Sequence, residues 1–103
     1  MNDLDRTIHE PVRLMIVALL SGIKEADFLF LQKQTGLTKG NLSSYLMKLE
    51  KHGYIEIRKS FRGKVPWTII RLTRSGRSAF NSYKKKMQGM LGGAGGSIDS
   101  KTG

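Results

Sequence analysis

Residues 36–53 read GLTKGNLSSYLMKLEKHG, and the reading of this stretch decides the fold. Thr38 suits a helix N-cap, because its hydroxyl accepts a bond from a first-turn amide that has no partner within the helix. Leu42, Leu46 and Leu49 follow at i, i+4 and i+7, one face of a helical repeat, with Tyr45 on its flank. At about 100° per residue, the opposite face carries Gly40, Ser44, Met47, Lys48 and Lys51, edged by Asn41 and Ser43. Gly53 supplies the left-handed position that ends such a helix. The outward face is small, polar and basic, with no carboxylate before Glu50. A helix that needed only solubility would mix Glu with Lys there. This one is suited to lie against something negative.

The charge of the whole chain agrees. Among 103 residues, 18 Lys and Arg stand against 8 Asp and Glu, a net charge of +10. Such an excess implies an anionic partner, nucleic acid before an anionic membrane surface. No acidic residue occurs from Ile57 to Ile98, whereas Asp3, Asp5, Glu10, Glu25 and Asp27 lie early. The absence of cysteine excludes disulfides and thiolate metal or redox sites. The first residues lack the layout of a signal peptide, so a cytoplasmic protein is expected. The longest apolar run, residues 14–20, falls far short of the ~20 residues that cross a membrane.

Working outward toward the N-terminus, Asp27 caps a predicted helix over 28–35, with Phe28, Leu31 and Leu29 as its core candidates. Gly36 then turns the chain into the stretch quoted above. Pro11 suits the first position of a helix over 11–21, whose apolar run predicts a buried centre with little wet face. Leu4 and Ile8 stand at helical spacing in a short leading segment. Two helices joined by a short glycine turn make a helix-turn-helix, in which the second helix enters the major groove.

Toward the C-terminus the periodicity changes to 2. Residues 54–58, YIEIR, and 67–72, WTIIRL, read as strands around the basic loop KSFRGKVP, a β-hairpin wing with Gly63 at its tip. Thr73 caps a last helix running to about residue 91. There Phe80, Tyr83, Met87 and Met90 step by 3, 4 and 3, a narrow seam that predicts a dimer contact. Residues 92–103, GGAGGSIDSKTG, have the composition of a flexible Gly-rich tail.

The order is now complete: helix, helix, recognition helix, strand, wing, strand, helix. It resembles the winged-helix transcriptional regulators of the MarR and ArsR type. LQKQTGLTKGNLSSYLMKLEKHGYIEIRK is similar to their helix-turn-helix running into the wing, and IIRLTRSGRSAF to the LTxxGR phrase that opens their last helix. The resemblance implies DNA contacts from Thr38, Lys39, Asn41, Ser43, Ser44 and Lys48 on the recognition helix. It implies wing contacts to the minor groove or backbone from Arg58, Lys59, Arg62 and Lys64. ArsR-type sensors hold metal with Cys or His/Asp clusters, and this chain has only His9 and His52. No metal or other cofactor is expected.

The expected fold is therefore α+β, mainly α: a winged helix-turn-helix with a three-helix core, a two-stranded β wing and a C-terminal dimerisation helix, in residues 1–91. The expected function is a homodimeric, sequence-specific regulator of transcription on double-stranded DNA, with helix 38–52 in the major groove and wing 58–68 beside it. Repression is the expected outcome. A small-molecule effector is left open. Two other readings also stay open, a protein-interaction module on the same scaffold and a non-specific nucleic-acid binder. Enzymatic activity is not expected, because there is no phosphate-binding Gly-rich loop and no nucleophile paired with a base. Trp67 reads as packing at the hairpin base, the methionines as core and seam filling, and the Lys84, Lys85, Lys86 run as a solvated face.

Overall fold

The computed structural model describes residues 5–102, with side chains described as far as Leu91. Leu4, one of the two apolar residues of the leading segment, lies outside the described residues. So do the side chains of the Gly-rich 92–103.

Each helix begins at a side chain that accepts its free amides. The Asp5 carboxylate receives Thr7 N and Ile8 N to start α1, Arg6–His9. Glu10 receives Arg13 N at 2.7 Å to start α2, Pro11–Ser21. Asp27 receives Phe30 N at 2.8 Å to start α3, Phe28–Thr35, and Thr38 receives Asn41 N at 3.1 Å to start α4, Lys39–Lys51. Each cap satisfies donors that a helix cannot satisfy internally and contributes about 1 kcal/mol.

The hairpin follows as β2, Ile55–Arg62, and β3, Val65–Leu72. Its arms are longer than the sequence predicts, because residues 59–62 and 65–66 of the presumed loop pair as strand. Only Gly63 and Lys64 form the turn. Gly63 has φ 62°, the positive value that a two-residue turn of type II′ asks of its first residue. A short strand β1, Ala26–Asp27, pairs antiparallel with Ile69 and Ile70, so the sheet has three strands in the order β1-β3-β2. Two residues carry no readable alternation, so this strand has no signature in the sequence.

The core gathers Ile16, Val17 and Leu20 of α2, Leu31 of α3, Leu42, Leu46 and Leu49 of α4, and Ile55, Ile70 and Leu72 of the sheet. These are the helical and alternating positions expected of core faces. Two expectations are corrected. Leu29 is exposed, since it lies on the far side of α3 from Leu31. Helix α2 also keeps a wet side, where Pro11, Met15 and Ala18 are exposed at i, i+4 and i+7. Its neighbours cover only part of the circumference of an apolar helix.

Helix α5, Arg74–Thr102, begins at Thr73, whose hydroxyl accepts from Gly76 N at 2.9 Å and donates to the Gly53 carbonyl at 2.6 Å. The helical backbone continues past residue 91, the end expected from the sequence. Glycine opposes a helix by about 1 kcal/mol through backbone entropy rather than by a clash, so a glycine run does not terminate a helix geometrically. Phe80 and Tyr83 are 7% and 5% exposed, hence part of the core of the single chain, and Met90 is 54% exposed. The Tyr83 hydroxyl lies 2.9 Å from His9 Nδ1, joining α5 to α1.

Candidate nucleic-acid interface

The outward arc of α4 is as the repeat requires. Leu42, Leu46 and Leu49 are buried, while Lys39, Gly40, Asn41, Ser44, Met47, Lys48 and Lys51 are exposed and Ser43 is half-buried. The first turn contains no acidic residue and its amides carry the positive end of the helix dipole, so this end favours an anion. Gly40 has no atom within 4 Å of where a Cβ would stand. Internal packing therefore does not require a glycine at this position, although glycine weakens the helix. His52 closes the helix by donating from Nδ1 to the Lys48 carbonyl at 3.1 Å. Among the described residues there is no group of three or more His, Cys, Asp or Glu placed to hold a metal ion.

The hairpin sorts its cations by strand alternation. Cross-strand partners share a face, so Ile55, Ile57, Lys59 and Phe61 lie on the inner face with Leu72, Ile70, Thr68 and Pro66. Glu56, Arg58, Ser60 and Arg62 lie on the outer face with Arg71, Ile69, Trp67 and Val65. Of the four predicted wing cations, Lys59 thus faces inward, Arg58 and Arg62 face outward, and Lys64 sits in the turn. Arg58 is 3.7 Å from Glu25, and Arg71 is 2.6 Å from Glu56, so the base of the outer face is charge-compensated. Arg62 lies 4.2 Å above the Trp67 ring, a cation–π contact. Trp67 serves the outer face of the distal hairpin through this contact. The uncompensated positive charge is concentrated in the distal half, at Lys59, Arg62 and Lys64.

Helix and hairpin meet at a groove. A cavity of about 480 Å³ lies between α3, α4 and the hairpin, with Lys39, Ser43 and Met47 on one wall and Ile57, Lys59 and Pro66 on the other. Phe28 and Leu29 of α3 also line it. Lys39 and Ser43 are therefore brought to the same recess as Lys59. Ser44 and Lys48 lie instead along a second, shallow depression that also includes Arg13, Tyr45 and Lys51. Arg13 was missed from sequence because it belongs to α2, and only packing of α2 against α4 brings it there. Its guanidinium is anchored by donation from Nε to the Thr7 carbonyl at 2.7 Å.

A junction behind the interface fixes the relation of α4 to the hairpin. Tyr54, between them, accepts from Thr73 N at 3.0 Å through its carbonyl, and its hydroxyl donates to the Asp5 carboxylate. Burial, then the hydrogen bond and negative charge of Asp5, push the Tyr54 phenol up to about 12.

Comparison with known proteins bears on the family and the fold. Residues 12–91 match the family described as winged helix DNA-binding domain. The uncharacterized protein MJ0432 of Methanocaldococcus jannaschii is 45% identical over 79 residues, which cover 76% of this chain and 85% of that protein. A transcriptional regulator homologue from Pyrococcus horikoshii OT3 superposes with a TM-score of 0.82 at 28% identity, covering 86% of this chain and 88% of that one. NadR, solved in complex with 4-hydroxyphenylacetate, shares the fold alone, with a TM-score of 0.70 at 18% identity over 94% of this chain and 68% of its own. No described helix is long and apolar enough to cross a membrane. The chain belongs to the family of winged helix DNA-binding domains.

Proposed function

We propose that the chain is a homodimeric regulator of transcription of the MarR/ArsR-like type, which recognises a specific sequence in double-stranded DNA and represses by occupying a promoter. The observation that carries this reading is the shared groove: an uncharged or basic face of α4 and a basic hairpin open onto one recess, which brings Lys39 and Lys59 together with a single acid in its lining. The one acid lining it, Asp27, uses its carboxylate to cap α3.

In this reading α4 enters the major groove. Lys39, Asn41, Ser43, Ser44 and Lys48 meet base edges and phosphates, and Thr38 meets a phosphate beside its own cap. One phosphodiester strand runs in the groove between Lys39 and Lys59, while Arg62 and Lys64 reach the minor groove or its flanking phosphates. Arg58 contributes least, because Glu25 offsets its charge. Two-fold symmetry would place a second recognition helix roughly 34 Å away, on a near-palindromic site. The dimer contact falls to Met87 and Met90 with the exposed Leu91, since Phe80 and Tyr83 are already enclosed. The working unit is residues 1–91, with 92–103 an appended Gly-rich tail, and its place of action is the cytoplasm.

Selection of bound sequences from a random duplex pool, followed by gel shift, tests the proposal. A recovered, near-palindromic motif bound at least 1000-fold tighter than random duplex, of the order of known specificity ratios, is the expected result. Binding no tighter than to random duplex, even at low salt, would overturn it in favour of non-specific binding.

A further inference from the structure

Resting on the proposed DNA-binding function, we infer that the wing tip is an apolar wedge: Phe61 enters a base step of the minor groove and kinks the duplex. Phe61 is 69% exposed, the most exposed large apolar residue described, and it lies in the hairpin arm next to the turn. It is not an overhanging part of the core. On the inner face the apolar row Ile55, Ile57 is interrupted by Lys59 before Phe61 is reached, so a cation separates the ring from the core. Its cross-strand partner is Pro66, whose ring fixes its own backbone φ and stiffens the arm behind Phe61. A stiff arm and a two-residue turn present the ring at the end of a narrow ribbon.

The surroundings specify the occupant. Arg62 and Lys64 flank the tip, Lys59 precedes it, and no acid occurs from residue 57 to residue 98. The complementary partner offers negative charge on both sides of an apolar surface. Phosphates flanking a base stack have that chemistry, and side chains such as Phe partly unstack a step and kink DNA by about 20–90°. Arg62, resting on Trp67 on the opposite face, is placed to meet a flanking phosphate while Phe61 is between bases.

The test uses the full chain and a duplex carrying the selected site, labelled at both ends for energy transfer, with 2-aminopurine placed in turn at each step beneath the wing. Phe61→Ala and Phe61→Leu are compared with the wild type, their folds checked by circular dichroism. The wild type should shorten the end-to-end distance and raise 2-aminopurine emission at one step. Phe61→Ala should lose both signals and bind about 5- to 100-fold more weakly, with the salt dependence unchanged. Phe61→Leu should keep part of the bend. Specific binding by the wild type to a duplex that stays straight, with no emission change, overturns the wedge and leaves the DNA-binding reading in place. Unaltered bending and affinity in Phe61→Ala would also overturn it. Failure of the wild type to prefer any duplex sequence overturns both the wedge and the function on which it rests.

Discussion

Gly76, in the first turn of α5, is packed directly against the backbone of Tyr54: a Cβ at Gly76 would stand 2.0 Å from the Tyr54 carbonyl oxygen. The same carbonyl accepts from Thr73 N, and the Thr73 hydroxyl reaches Gly53. The end of the recognition helix and the end of the hairpin are thus held to one point. Gly76→Ala must displace backbone rather than a flexible side chain. It is expected to cost about 1–3 kcal/mol or more, measured as a lower urea midpoint. An unchanged midpoint would show that α5 can shift without loss.

Gly40 is the opposite case. With open space where its Cβ would be, Gly40→Ala should stabilise the helix by about 0.5–1 kcal/mol. If DNA backbone approaches this position, the same substitution weakens specific binding. A gel shift beside a denaturation curve reads both effects, and a stabler variant with undiminished affinity would remove Gly40 from the interface.

The hairpin cations should separate by salt dependence. Lys59→Ala is expected to reduce the slope of log K against log salt by about 0.9, the loss of one phosphate contact. Arg58→Ala should leave the slope nearly unchanged, because Glu25 already offsets that charge. Equal slopes for the two variants would contradict the division of the hairpin into a compensated base and a cationic tip. The double change Lys39→Glu with Arg62→Glu should abolish binding while the chain remains folded. Retention of its cellular role by that variant would favour the protein-interaction reading.

Tyr54 predicts a response to alkali. Its phenol is protonated in both folded and unfolded chains below pH ~10, the ordinary value for tyrosine. In the folded chain it is held up to about 12, so the unfolded chain releases the proton first as pH rises. The stability contributed by the Tyr54 hydroxyl is therefore complete below about pH 10 and is lost on the way to 12. Tyr54→Phe should be less stable at neutral pH by about 1 kcal/mol, the hydrogen bond to Asp5, and the gap from wild type should narrow as pH rises. Urea midpoints at pH 8 and 11 check this, and a constant gap would refute it.

Along α5, burial separates folding from assembly. Phe80→Ala should cost about 3–5 kcal/mol of stability, as truncation of a core aromatic does. Met90→Asp should leave the monomer folded, since the side chain is exposed, and shift a dimer toward monomer in sedimentation. A sedimentation coefficient that is independent of concentration and monomeric in the wild type would remove the dimer.

Local chemistry in the sequence determined the starts of α2 to α5 and the order of these helices and the hairpin. Asp27 and Thr38 cap the helices they precede, and the spacing of Leu42, Leu46 and Leu49 defines the buried face of α4. Caps and periodicities act over three or four residues, so they can be read without a partner. The reading faltered where the decisive neighbour is distant. Ala26 and Asp27 form a strand only because β3 is beside them, and Phe80 and Tyr83 have the spacing of an external seam yet are enclosed by the chain's own core. The candidate interface divides in the same way. Its basic α4 face was legible from residue identity, whereas tertiary packing brought Arg13 to Lys48, set Lys59 across a groove from Lys39, and offset Arg58 with Glu25. Those pairings depend on distance in space between elements, and a sequence records only distance along the chain.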